Sequence, residues 1–268
     1  MAQLLPACQI DPGRLDPLLG MARGRFTVEA LAECSSTSTV LLEKARQGAP
    51  SGSLLVADEQ TAGRGRRGRS WLSSPSAGLT FSLLWRFPGT VARLAGLSLA
   101  VGLAVARALE RIGATGVGLK WPNDILLGDG KVGGILVELE SAPADMLAVI
   151  GIGLNLQMPP AGEDAFIHPP AALSQALSPL PDRHRVLAEL MVEMAAVLDS
   201  FDAGGFAVLR ADWQKQHSWQ DRSVRLLDGD RIDRQGICLG ADDDGALLLQ
   251  TATGIERCLS GDLSLRGA

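Results

Sequence analysis

Two stretches of this chain combine residue types in patterns that could do chemistry. The first, Gly63-Arg64-Gly65-Arg66-Arg67-Gly68-Arg69, packs four arginines and three glycines into seven residues just before Ser70-Trp71. Glycines expose backbone N–H groups and guanidinium groups add permanent positive charge, a combination suited to wrapping a polyphosphate or another anion. Gly63-x-Gly65-x-x-Gly68 has the form of a dinucleotide fingerprint, but that motif needs a helix opening at once and an acidic residue about 20 positions on. Pro75 interrupts any such helix, and no Asp or Glu occurs between Glu59 and Glu110. A P-loop reading with Arg in place of Lys fails for the same reason. What remains is a flexible cationic loop that orders on an anion, against the plainer reading of a solvated basic loop or an RNA-touching turn.

The second stretch is Lys120-Trp121-Pro122-Asn123-Asp124 followed by Lys131-Val132-Gly133-Gly134. A hairpin between them brings Asn123, Asp124 and Lys131 to one end of a sheet. There the ammonium neutralises a carboxylate or phosphate, while the acid orients an amine or holds Mg²⁺. Gly133 and Gly134 let a ligand lie against the backbone. The plainer reading is an ordinary surface hairpin. Lysine is scarce here: of 25 basic residues only Lys44, Lys120, Lys131 and Lys215 are lysines, which draws attention to Lys120 and Lys131 as compact, tunable charges.

The remaining composition narrows the class. Length 268, 46% hydrophobic and 21% charged residues describe a globular chain of one large domain, or one medium domain and an appendage. A net charge of -5 disfavours a general nucleic-acid or anionic-membrane binder. The apolar run Leu94 to Ala106 falls short of the roughly 20 residues of a membrane crossing. Cys8, Cys34, Cys238 and Cys258 form no Cys-x-x-Cys pair, and His168, His184 and His217 stand apart, so no zinc site or Ser-His-Asp constellation is expected. Scattered thiols suit a reducing compartment, the cytoplasm.

Periodicity supplies the scaffold. Residues 1–28, with Pro6, Pro12 and Pro17, read as a lead-in segment. Ser38 reads as the N-cap of a short helix ending at Gly48. Strands are expected at Ser53–Ala57, Leu79–Phe87, Val117–Trp121, Ile125–Leu127, Val132–Leu139 and Met146–Leu156, and one long core helix at Val91–Ile112. After a Pro-rich loop at 158–181, helices follow at His184–Phe201 and Phe206–His217. From residue 221 onward, short apolar runs alternate with Asp/Gly turns, as in a small β-barrel. The fold class is α+β, a mixed sheet with packed helices.

Taken together, the two stretches make the sequence resemble the catalytic region of biotin protein ligases. The resemblance covers residues 34 to 156 through Ser35-Ser36-Thr37, Glu59-Gln60-Thr61-Ala62 running into the Gly/Arg loop and Trp71, Lys-Trp-Pro-Asn-Asp, Lys131-Val-Gly-Gly, and Ile150-Gly-Ile-Gly-Leu-Asn155. Ser260 to Arg266 is similar to the end of that family's SH3-like C-terminal domain. The resemblance implies three parts: the lead-in 1–28, a catalytic domain 29–220 and an SH3-like domain 221–268.

It also implies an activity: biotin and ATP, with Mg²⁺, give biotinyl-5'-AMP, and biotin then passes to a lysine of a biotin carboxyl carrier domain. Carried over by motif, Ser36, Thr37 and Gln60 hydrogen-bond the biotin ring. Arg64, Arg66 and Arg69 belong to a loop that closes on biotin and phosphates, and Gly63, Gly65 and Gly68 let it move. Lys131 contacts the biotin carboxyl and α-phosphate. Asn123 and Asp124 position phosphate, metal or the incoming amine. Gly133 and Gly134 offer backbone to biotin, while Trp71 and Asn155 lie towards the adenylate. The metal ligands themselves are not identified. The short lead-in implies no DNA partner, the chain has no membrane partner, and homodimerisation is left open. The rival readings are a lipoate or octanoate ligase or transferase of the same fold, and a non-catalytic biotin-sensing or nucleic-acid-binding module.

Overall fold

The computed structural model describes residues 8–75, 77–142, 145–160, 169–228, 231–260 and 263–267. His168, part of the Pro-rich loop and the start of the lead-in lie outside the described residues.

A seven-stranded sheet forms the frame, in the order β1-β2-β3-β7-β6-β5-β4. Its strands are β1 (Thr27–Cys34), β2 (Ser53–Gln60), β3 (Gly78–Pro88), β4 (Val117–Lys120), β5 (Asp124–Leu127), β6 (Gly130–Ser141) and β7 (Asp145–Asn155). β1 and β2 run parallel, joined across α2 (Thr37–Arg46); the other neighbours are antiparallel, so the sheet is mixed. Successive side chains point to opposite faces of a strand, and both faces are covered. Leu54, Val56, Leu79, Phe81 and Leu83 face the main core, whereas Leu55 and Leu84 join Leu41 and Ala45 of α2 in a smaller one. Burial on both sides explains why β2 reads as a continuous apolar run, Leu54–Ala57, rather than an alternating one.

The main core is closed by α3 (Leu97–Arg111) and α4 (Arg183–Gly204). The single helix expected at Val91–Ile112 is broken. Val91–Leu94 is a 3-10 turn, and Gly96 at φ 78 re-aims the chain before α3. A Cβ on Gly96 would lie 2.6 Å from Cβ of Phe206, so the break is where two segments approach closely. Val91–Arg111 is longer than the run counted from sequence and meets the length and composition of a membrane span, but 61% of its most apolar window is buried within the protein.

Other boundaries shift for local reasons. α2 starts at Thr37 with Ser36 as N-cap, leaving Ser38 inside the helix, where its hydroxyl has a partner on β3. Phe206–His217 divides into a 3-10 turn and α5 (Arg210–Gln216). The lead-in carries α1 (Pro12–Leu15) and a 3-10 segment, and buries Ile10, Leu15, Leu19 and Ala22 in the core, with β1 starting inside it at Thr27.

After α5 a second, antiparallel sheet of five strands follows in the order β11-β10-β9-β8-β12: β8 (Ser223–Asp228), β9 (Arg231–Ala241), β10 (Leu247–Thr251), β11 (Gly254–Cys258) and β12 (Leu263–Gly267). Two buried side chains fix it against the first sheet. Trp121 Nε1 donates to the Gly245 carbonyl at 3.1 Å. His217 donates from Nδ1 to the Leu119 carbonyl at 3.1 Å, and its Nε2 lies 3.3 Å from Sγ of Cys238 on β9.

Candidate active site

Between the two sheets lies an open cleft of about 130 Å³ walled by the Gly/Arg loop, the start of α2, the glycine-bearing stretches of β6 and β7, the Lys-Trp-Pro-Asn-Asp turn and β12. Twelve of the site residues expected from sequence line it: Ser36, Thr37, Gln60, Arg64, Gly65, Arg66, Arg69, Trp71, Asn123, Asp124, Lys131 and Gly134.

The Gly/Arg loop takes the form of a hydrogen-bonded hairpin. Trp71 N donates to Gly63 O at 2.9 Å and Gly65 N to Arg69 O at 2.7 Å. Its tip turns at Arg67 and Gly68, with φ of 61° and 68°, the left-handed pair that a tight hairpin requires. Gly68 therefore serves the turn. Gly63 serves the pairing, since a Cβ there would sit 2.3 Å from Trp71 O. Neither lines the cleft.

One end of the cleft is polar and uncharged. Gln60 Oε1 accepts from Thr37 N at 2.7 Å and Thr37 Oγ1 at 3.1 Å. Ser82 Oγ, fully buried, lies 2.8 Å from Thr37 Oγ1 and 3.0 Å from Ser38 Oγ. This network fixes donor and acceptor directions before any ligand arrives. The floor beside it is bare backbone at Gly134, Gly151 and Gly153: the Trp71 indole rests over Gly134 and Gly153, while Gly151 abuts the Ser38 and Ser82 hydroxyls.

The other end is cationic. Lys131 Nζ is 2.5 Å from Asp124 Oδ1, and Lys120 Nζ is 3.8 Å from Asp124 Oδ2. Arg66 donates to Asn123 Oδ1 at 3.1 Å and to the Ser260 carbonyl at 3.0 Å, tying the hairpin to the β4–β5 turn and to the connection between β11 and β12. Burial lowers the Lys120 ammonium to about 8 even though Asp124 opposes the shift, and burial likewise lowers Arg266. Among the described lining residues Asp124 is the sole carboxylate, against Lys120, Lys131, Arg64, Arg66, Arg67, Arg69 and Arg266. Such an excess of positive charge in a concave site favours a multiply charged anion.

Besides Gly63 and Gly68, two expected residues, Gly133 and Asn155, stand apart from the lining. Gly133 points the other way on β6, since a Cβ there would meet Leu154 Cδ2 at 2.5 Å, so Gly134 alone of the pair offers backbone to the cleft. Asn155 donates to the carbonyls of Ala171 at 3.0 Å and Lys131 at 3.4 Å, holding the start of β6 rather than reaching inward. Arg64 lines the rim but pairs with Glu138 at 2.7 Å.

Sequence reasoning missed the contribution of the second sheet. Arg266 and Ser264 of β12 line the cleft, and among the described residues the Ser264 hydroxyl and both terminal nitrogens of Arg67 are buried without hydrogen-bond partners. Ser38, Ser82 and Arg67 were also missed. Nothing local marks Ser264, Arg266 or Ser82, because each is an ordinary strand residue until the fold brings it to the site.

Comparison with known proteins places these features. The Biotin/lipoate A/B protein ligase family matches residues 31–155, and the Biotin protein ligase C terminal domain matches residues 221–266. The bifunctional ligase/repressor BirA of Escherichia coli (strain K12) is 38% identical over 267 residues, 99% of this chain and 79% of that protein. A biotin--[acetyl-CoA-carboxylase] ligase of Paracoccus denitrificans is 35% identical over 236 residues, 84% of this chain and 94% of that one. The solved structure of a biotin protein ligase from Aquifex aeolicus in complex with biotin and ATP aligns with a TM-score of 0.77 at 32% identity, covering 90% of this chain and 99% of that chain.

Proposed function

Because the chain belongs to the biotin/lipoate A/B protein ligase family, we infer that it is an ATP-dependent biotin protein ligase. It activates biotin as biotinyl-5'-AMP and transfers the acyl group to a lysine of a biotin carboxyl carrier protein. The observation that carries this reading is one cleft with a neutral polar end, a bare glycine floor and a cationic end.

In the first half-reaction a biotin carboxylate oxygen attacks the α-phosphorus of ATP, the bond to the bridging oxygen breaks and pyrophosphate leaves. Negative charge accumulates at the centre, and fixed cations stabilise it without reorganising at the moment of reaction. Lys131, on a strand, is the point charge for the biotin carboxyl and α-phosphate. Arg66, Arg67, Arg69 and Arg266 take the remaining phosphate charge, which the unpartnered nitrogens of Arg67 support. Thr37, Ser36 and Gln60 hold the polar ring of biotin, and Trp71 covers the floor where the acyl chain lies. Asp124, the carboxylate among the described lining residues, would hold Mg²⁺ brought in with the triphosphate, and the ion would supply neutralisation of phosphate charge.

In the second half-reaction the acceptor lysine's neutral amine attacks the acyl carbon, AMP leaves, and the amine gives up a proton. Asp124 and Asn123, at the cleft's edge beside Arg66, orient that amine. A mixed anhydride hydrolyses readily, so the hairpin tip held by Asn123 and Ser260 also excludes water.

The reading keeps a catalytic unit over residues 29–220 and an SH3-like unit over 221–268, supported by the change of sheet after α5. It includes no duplex-DNA partner: the chain carries a net charge of -5, and two of the hairpin's arginines are engaged by Glu138 and Asn123. Four free cysteines support a reducing cytoplasm.

Exchange of labelled pyrophosphate into ATP, with biotin, lipoate or octanoate as the acid, tests the assignment. Exchange with biotin, followed by labelling of a carrier domain, is expected. Exchange with lipoate or octanoate but not biotin would overturn it.

A further inference from the structure

Lys120 lines the cleft, yet the steps above give it no task. It is the last residue of β4, paired in register with Asp124 on β5, and its side chain is 3% exposed. Its ammonium stands 5.6 Å from the ring centroid of Trp219, in the connection to the second sheet. The carboxylate of Asp124 is shared: Oδ2 faces Lys120 and Oδ1 is bound to Lys131, whose side chain is 27% exposed.

This arrangement poses a problem for the chemistry. Lys131 is held in a 2.5 Å ion pair and must leave it, wholly or in part, to meet a ligand oxygen. Removing the partner of a mostly buried carboxylate is strongly unfavourable unless another cation compensates. Resting on the function proposed above, we propose that Lys120 is a positioning residue that acts through Asp124, taking over the carboxylate's charge when Lys131 turns to the α-phosphate.

Three features fit the hand-over. The two lysines occupy different oxygens, so they do not compete for one position. Lys120 is immobilised by burial and by Trp219, whereas Lys131 is the partner with solvent around it. The space next to the Lys131 ammonium is kept open by a glycine: a Cβ on Gly134 would lie 3.2 Å from Nζ. No proton moves in this step; one carboxylate exchanges its close cation.

Single-turnover adenylate formation from biotin and Mg-ATP tests the idea on the full chain. Lys120→Met is expected to slow adenylation by about tenfold or more while biotin affinity stays within about threefold, and Lys120→Arg to restore most of the rate. Asp124→Asn removes the carboxylate through which Lys120 acts, so adding Lys120→Met to it should change whatever rate it retains by less than about twofold. In a structure bound to a non-hydrolysable adenylate analogue, Lys131 Nζ should lie beyond about 3.5 Å from Asp124 and Lys120 Nζ within about 3.2 Å. Equal slowing by Lys120→Met in both backgrounds, an unimpaired Lys120→Met, or Lys131 still on Asp124 in the complex would each overturn the hand-over. Failure of the wild type to adenylate biotin overturns the function instead, so the two failures are distinct.

Discussion

The Trp71 indole sits directly on Gly153: a Cβ at that position would lie 2.2 Å from Cε2 of the ring. A contact this close exists only because residue 153 has no side chain, so the glycine of β7 and the tryptophan of the hairpin form one unit.

Gly153→Ala should therefore displace Trp71 from the floor of the cleft. Moving a large aromatic out of a packed position costs on the order of 1–3 kcal/mol, and biotin affinity should weaken by about tenfold or more. Tryptophan emission and calorimetric titration with biotin measure both effects. An unchanged emission spectrum and affinity would show that the ring is not needed there.

Lys131 and Arg66 should fail in different ways. Lys131 is carried by a strand and Arg66 by a hairpin tip whose links to Asn123 and Ser260 close the cleft. Lys131→Ala should depress adenylate synthesis by about 10² or more, as when one preorganised electrostatic group is lost. Arg66→Gly should permit synthesis while biotinyl-5'-AMP escapes and labels lysines of an unrelated protein such as albumin. Single-turnover synthesis measured alongside albumin labelling separates the two. Arg66→Gly that neither synthesises nor labels would contradict this division.

Ser82 is the hub under the polar end of the cleft. Ser82→Ala leaves the Thr37 and Ser38 hydroxyls short of a partner and should cost about 1–3 kcal/mol of stability. Denaturant midpoints read the loss, and the KM for biotin should rise more than kcat falls, because Thr37 loses its orientation before any chemistry. A stable variant with unchanged KM would remove Ser82 from the site's support.

His217 makes stability depend on pH in the mildly acidic range. Burial lowers its pKa from 6.5 to about 4, against a smaller opposing effect of its bond to Leu119. Between those values the unfolded chain binds a proton that the folded chain does not, so stability falls as pH falls, by up to about 1.4 kcal/mol per pH unit. Above pH 6.5 the contribution is flat. Thermal melts from pH 7 to about 4.5 should show the slope. His217→Gln should flatten it, and an equally steep slope in that variant would assign the effect elsewhere.

Sequence by itself determined the elements and most of the chemistry. The continuous apolar run Leu54–Ala57, the β-prone aromatic stretch Leu79–Phe87 and the Asp/Gly turns after residue 221 locate the strands because backbone preference and turn chemistry are local properties written in residue order. The Gly/Arg hairpin, the Lys-Trp-Pro-Asn-Asp turn and Lys131 were legible because each is a compact motif of unusual composition. Tertiary structure decided what depends on residues far apart in the chain. Gly96 reads from sequence as a point of close approach within one long helix, but the packing of Phe206 against it is where that helix breaks. Gly133 and Gly134 are equivalent on paper, but strand alternation sends only one towards the cleft. Ser82, Ser264 and Arg266 carry no local signal at all. They join the site because one sheet places Ser82 under Thr37, and the junction through Trp121 and His217 brings β12 across from Lys131.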